Sequence, residues 1–97
     1  MATYIVLTNF TDQGARNAKD TTKRSEAVAE MAKKFGVTAK QFFWTLGPYD
    51  VVAIFEAPDD ASITALSLAI AANGNVRTQT LRAFSKDEMN GILHKLA

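Results

Sequence analysis

Residues 40–56 read KQFFWTLGPYDVVAIFE. Two runs of β-branched and aromatic residues, 40–46 and 50–56, flank a Gly-Pro pair. Such residues suit a pleated, packed surface, and Gly-Pro punctuates a turn, so the segment reads as a β-hairpin. Phe42, Phe43 and Trp44 are consecutive and must therefore point to both sides of the sheet.

Upstream, residues 3–9 (TYIVLTN) form another strand-like run. Thr11 supplies an N-cap, with Asp12 in the first turn, where the helix dipole favours an anion. The helical piece over 12–19 is weakened by Gly14. The cluster Asp20-Thr21-Thr22 offers fresh caps, and Ala27, Val28, Met31, Ala32 and Phe35 then fall at helical spacing up to Gly36. Downstream, Pro58, Asp59 and Asp60 open a helix whose stripe is Ile63, Leu66 and Ile70, stopped by Asn73-Gly74. Residues 76–84 (VRTQTLRAF) read as a fourth, more polar strand. Ser85 and Glu88 form a capping box for a last helix that carries Met89, Ile92, Leu93 and Leu96 on one side.

The element order is βαββαβ plus a terminal helix. That is a ferredoxin-like α+β arrangement, with strands one and three central and strands two and four at the edges. Leu7 is expected opposite Val52 and Ile5 opposite Ile54, which also sets Asn9 opposite Asp50, Tyr4 opposite Phe55 and Val6 opposite Ala53. A one-residue slip would scramble both faces. The aliphatic set is expected beneath the helices, and the larger mixed set on the other side.

Both inferred central strands are apolar on both faces, whereas the crossover helices cover one. The uncovered face predicts a partner, and a second copy is the expected one, giving a homodimer. A C-terminal helix folded across that face is the monomeric alternative. The helix over 61–72 is apolar on more than one side, which favours assemblies beyond a dimer.

Composition narrows the functional classes. The 97 residues make one domain, 1–97, with no room for a second core. With no cysteine and a single histidine, a disulfide framework, a thiolate site and a multi-histidine metal site are excluded. Eleven Lys and Arg against ten Asp and Glu leave a net charge of +1, so neither nucleic acid nor an anionic membrane is an expected partner. No stretch of about 20 apolar residues is present to span a bilayer. The N-terminus reads as strand rather than signal peptide, so a cytoplasmic location is expected. There is no Walker loop, dinucleotide fingerprint or nucleophile elbow, and no cofactor is expected.

Asn9 and Asp50 interrupt two otherwise apolar rows at one end of the sheet, and Arg77 begins the neighbouring strand. They are expected to form a row at the rim between sheet and helices, with Thr45 and Tyr49 nearby. Asn9 and Arg77 could hold a carboxylate or an enolate-like oxygen, with Asp50 as base. Alternatively, Asp50 caps the hairpin or pairs with Arg77. Trp44 reads first as a core or interface residue and joins Asn9, Thr45, Tyr49 and Arg77 as a candidate ligand contact. His94 reads as a solvated helix residue. Arg16, Lys19, Lys23 and Arg24 form a basic cluster that either is solvated or holds an anion.

Gly47-Pro48-Tyr49-Asp50, preceded by Trp44-Thr45-Leu46, resembles the Gly-x-Tyr-Asp signature of the bacterial GYD-domain family. Residues 3–5, 9–14, 74–78 and 81–84 extend the resemblance over nearly the whole chain. It implies a fold similar to the dimeric α/β barrels and marks Gly47, Tyr49 and Asp50 as positions of interest, without a catalytic role. That wider group includes cofactor-independent monooxygenases, isomerases, haem-degrading enzymes and ligand-sensing domains. Haem-degrading members use an Asn, a Trp and a His. Asn9, Trp44 and His94 occur here, but His94 lies too near the C-terminus to match that pattern. Three functions remain: a homo-oligomeric module binding a small organic ligand, a cofactor-independent monooxygenase or isomerase using Asp50 with Asn9 and Arg77, and an assembly module without a ligand.

Overall fold

A computed structural model describes residues 1–96; Ala97, the last residue of the expected domain, lies outside the described residues. Strands β1 (Ala2–Phe10), β2 (Thr38–Trp44), β3 (Val51–Ala57) and β4 (Val76–Ala83) form one antiparallel sheet in the order β2-β3-β1-β4. The expected ferredoxin-like topology is therefore observed, with β1 and β3 central. Strand β2 starts two residues before its predicted place, because Val37 is buried directly ahead of it and Thr45 already belongs to the turn.

The first crossover is broken where Gly14 and Asp20-Thr21-Thr22 suggested. Helix α1 (Asp12–Arg16) is capped by Thr11, a 3₁₀ turn covers Ala18–Asp20, and α2 (Thr21–Lys33) follows. Gly14 has a steric role. A methyl group there would lie 1.9 Å from the Asn75 carbonyl oxygen, so only glycine lets α1 approach the loop between α3 and β4. That approach is secured from both sides. The Thr11 amide donates to Asn75 O at 3.0 Å, and the Thr11 hydroxyl donates to Gly74 O at 2.6 Å.

Helix α3 (Asp60–Ala72) is capped by Asp59, whose carboxylate accepts from the Ser62 amide at 2.8 Å. Ser62, through its hydroxyl first and this amide second, holds the Asp59 carboxyl below its usual pKa, the effect expected when hydrogen bonds favour the charged form. Helices α2 and α3 lie on the same side of the sheet, α2 over β2 and α3 over β4 and β3. Between them and the sheet sits the core, built on Tyr4, Val6, Phe55, Ile63 and Leu66.

The register matches the expectation: Leu7 lies opposite Val52, Ile5 opposite Ile54, Tyr4 opposite Phe55 and Val6 opposite Ala53. The two faces are exchanged, however. Tyr4, Val6, Ala53 and Phe55 are the buried set beneath the helices, while Ile5, Leu7, Val52 and Ile54 lie on the open side and are half-buried. Aromatic rings bury the most area, and the inter-layer space under two helices is where that area is lost to water. Tyr4 adds a polar anchor, its hydroxyl donating to Asp60 Oδ1 at 2.5 Å at the start of α3. This bond, with burial, pushes the Tyr4 phenol above its usual pKa.

Helix α4 (Lys86–Leu93) leaves the end of β4 under the predicted capping box, Ser85 with Glu88. It makes little contact with the sheet or with α2 and α3, so it does not fold back across the open face. No helix among the described residues is long and apolar enough to cross a membrane.

Candidate functional site

The Asn9–Asp50–Arg77 row exists as a neighbourhood, but it lies on the open side of the sheet. The rim between sheet and helices was the expected place, and the exchange of faces explains the difference. Arg77 pairs with Asn9 in the β1–β4 ladder, and Leu81, two pairs further along the same face, sits opposite Ile5. The expected place of Arg77, at the rim beneath the helices, is therefore corrected to the open face.

Around the turn, polar side chains are bonded to backbone. Asn9 Nδ2 donates to Pro48 O at 2.7 Å. The Phe10 amide donates to Asp50 Oδ2 at 2.8 Å, and the Asp50 amide donates to Thr8 O at 2.9 Å. The Thr45 hydroxyl donates to Tyr49 O at 2.5 Å, and the Thr45 amide donates to Asp50 O at 2.9 Å. Gly47 has φ of 119°, which L side chains rarely adopt. Tyr49 leans across β1 toward β4, where its hydroxyl lies 3.3 Å from Gln79 Oε1. The structure thus brings Asn9, Thr45, Tyr49 and Asp50 together as the fastening of the Gly-Pro-Tyr-Asp turn, with Arg77 exposed beside Asn9.

Trp44 is on the other side. It pairs with buried Val51 and stands beneath α2, its indole N–H donating to Thr21 Oγ1 at 3.0 Å. It bounds a cleft of about 140 Å³ between α2, the covered sheet face and the end of α3. The walls are largely apolar: Val6, Val28, Met31, Phe42, Phe55 and Ile70. Phe42 and Phe55 meet edge to face with centroids 5.9 Å apart, which stiffens one wall.

Arg24 is the one charged residue among those that line this cleft. Its guanidinium donates to Asn17 O at 2.7 Å and to Gly14 O at 3.3 Å, tying α2 to the end of α1, and lies 5.7 Å from the Phe10 ring centroid. Of five guanidinium N–H donors, two are used in this way, so the group keeps donor capacity beside the cleft. Thr21 and Arg24 were not singled out as cleft residues from sequence. Arg24 was visible only as one of a basic cluster, because the α1 break that delivers it is a tertiary feature.

Among the described residues, no cluster of three or more His, Asp or Glu side chains could hold a metal ion. The observed unit is a ferredoxin-like sheet with two helices on one face, a small apolar cleft between the layers and an uncovered second face. Its sequence matches the GYD domain profile over residues 4–93, and the chain belongs to that family. A Thermus thermophilus protein described as "Glutamine synthetase and cystathionine beta-lyase binding protein" is 39% identical over 84 residues, which cover 86% of this chain and 88% of that relative. No solved structure gives a significant match.

Proposed function

We propose that the protein is a homodimeric binding module that holds a small organic acid, of the size of one aromatic ring, in the cleft beneath α2. The observation that supports this most directly is a single guanidinium, Arg24, beside a largely apolar space of about 140 Å³. A cavity of about 150 Å³ holds benzene, and a pocket with one convergent charge selects an apolar body with an oppositely charged head. Thr21, whose hydroxyl oxygen accepts from the Trp44 indole, keeps its own O–H as a donor at the same wall. In this reading Asn9, Thr45, Tyr49 and Asp50 position the hairpin that carries Trp44.

The chain's lone tryptophan is a built-in reporter of the cleft. Titration with benzoate is expected to shift Trp44 emission saturably, and Arg24→Gln is expected to weaken that binding at least tenfold. Benzyl alcohol, which lacks the charge, is expected to bind much more weakly. Equal responses to benzoate and benzyl alcohol, or no response to either, would refute the acid-binding reading.

A second reading is docking on an enzyme. The name of the Thermus relative favours it, and so does Leu46, which stands fully exposed at the hairpin tip. Immobilised protein is expected to retain purified glutamine synthetase or cystathionine β-lyase, and Leu46→Asp is expected to release it. Failure to retain either enzyme removes this reading.

A further inference from the structure

We infer that α4 and the turn after it form an arm that crosses to a second copy of this chain and completes the dimer interface. The inference rests on the homodimer reading above and adds the element that makes such a dimer large enough.

Helix α4 is built to be a helix yet packs little on its own chain. Eight residues are too few for a stable isolated helix in water. The sequence nevertheless specifies one, with a complete capping box and an Arg82–Glu88 ion pair at 3.4 Å. Arg82 in turn lies 4.5 Å from the Phe84 ring centroid, fixing the start of the arm against β4. Beyond that brace the arm carries an apolar ridge facing water: Met89 is 42% exposed, Leu93 50% and Leu96 80%. The molecule is correspondingly long, 52 × 31 × 17 Å, with a radius of gyration of 14.6 Å. A compact chain of this length has about 12.5 Å.

The area argument identifies the occupant. Four strands spaced about 4.8 Å apart, each contributing about seven residues at 3.3 Å, give the open face a projected area of roughly 450 Å². A stable interface takes about 800 Å² from each partner. An arm about 17 Å long and 10 Å wide adds roughly 170 Å² where it lands. In a twofold dimer each copy both gives an arm and receives one, which brings the footprint close to the required size. A monomeric partner with no arm to return would leave the interface short of it.

The test uses the whole chain. Wild-type protein is expected to sediment as a dimer at micromolar concentration. The double substitution Met89→Asp with Leu93→Asp is expected to raise the dimer dissociation constant at least tenfold, with far-UV circular dichroism of the sheet and the monomer's thermal transition retained. Because the protein has no cysteine, Lys95→Cys, exposed on the arm beside the ridge, can carry a single nitroxide label. Mixed with isotope-labelled wild type, it is expected to broaden amide signals of the isotope-labelled copy. A dimer that tolerates the double substitution, or mixed dimers in which the isotope-labelled copy's amide signals stay sharp, would overturn the arm while leaving the dimer standing. A wild type that stays at 10.6 kDa at all concentrations would overturn both.

Discussion

The Phe10 amide donates to the Asp50 carboxylate across 2.8 Å, joining the last residue of β1 to the residue that closes the Gly-Pro-Tyr-Asp turn. The bond spans 40 residues of sequence and continues the β1–β3 ladder beyond its last paired residues, Thr8 and Val51. It makes Asp50 an acceptor for backbone. An acceptor and a general base are separable by substitution. Asp50→Asn keeps an oxygen for the Phe10 amide and is expected to cost less than about 1 kcal/mol. Asp50→Leu orphans that amide and is expected to cost about 1–3 kcal/mol in urea denaturation. If Asp50→Asn folds normally yet abolishes a turnover that the wild type shows, the anchoring role is insufficient and Asp50 acts as a base.

Gly14 and Gly91 are both helical glycines with opposite expectations. A methyl group at Gly14 runs into the Asn75 carbonyl oxygen, which is backbone and cannot swing away. Gly14→Ala is therefore expected to destabilise by about 1–3 kcal/mol, the usual range for overpacking. A methyl at Gly91 meets nothing within 4 Å. Gly91→Ala is expected to strengthen α4 by about 0.5–1 kcal/mol, seen as slower amide exchange in that helix. A stable, unperturbed Gly14→Ala protein would mean that α1 does not sit against the α3–β4 loop.

The strand register was legible because only one pairing of β1 with β3 keeps like residues together on both faces. The choice of covered face was not read correctly, although the signal was present. Glu56, Arg77 and Gln79 share the parity of Ile5, Ile54 and Leu81, and charged or amide side chains in those rows mark the side open to water. Aliphatic against aromatic character does not carry that signal, because both kinds of side chain occur on buried and half-buried rows. The turn residues were legible as a group, since Asn9 and Asp50 are polar exceptions in apolar rows. The cleft was not, because Arg24 reaches it only through carbonyls presented at the break between α1 and α2, and no local pattern encodes that meeting.

Ile54 tests the open face directly. It is half-buried on the uncovered side, between Gln41 on β2 and Ile5 on β1. Ile54→Lys places a charge where a second copy is proposed to lie, while in the monomer the long side chain can reach water. Monomer stability is expected to change by less than about 1 kcal/mol, and the dimer is expected to dissociate at concentrations where wild type is paired. Sedimentation velocity reads the second effect and urea denaturation the first. An Ile54→Lys protein that pairs as tightly as wild type would mean that the sheet faces do not meet.

Glu88 gives the arm a pH dependence of definite sign. The Ser85 amide donates to its Oε1 at 3.0 Å, and Arg82 lies at 3.4 Å from the other oxygen. The backbone bond first, with the guanidinium assisting, holds the carboxyl below its ordinary value of about 4.3. A group whose folded pKa is depressed contributes its stability above the unfolded pKa and loses it as pH falls through the folded one. Amide protection in α4 should therefore be constant from neutral pH down to about 5, then decline as pH falls below about 4.3. Glu88→Gln keeps an oxygen for the Ser85 amide but cannot titrate, so its α4 should show a smaller decline over the same range. Hydrogen exchange followed residue by residue distinguishes the two. Identical pH profiles for wild type and Glu88→Gln would show that the ionised Glu88 does not hold the arm's first turn.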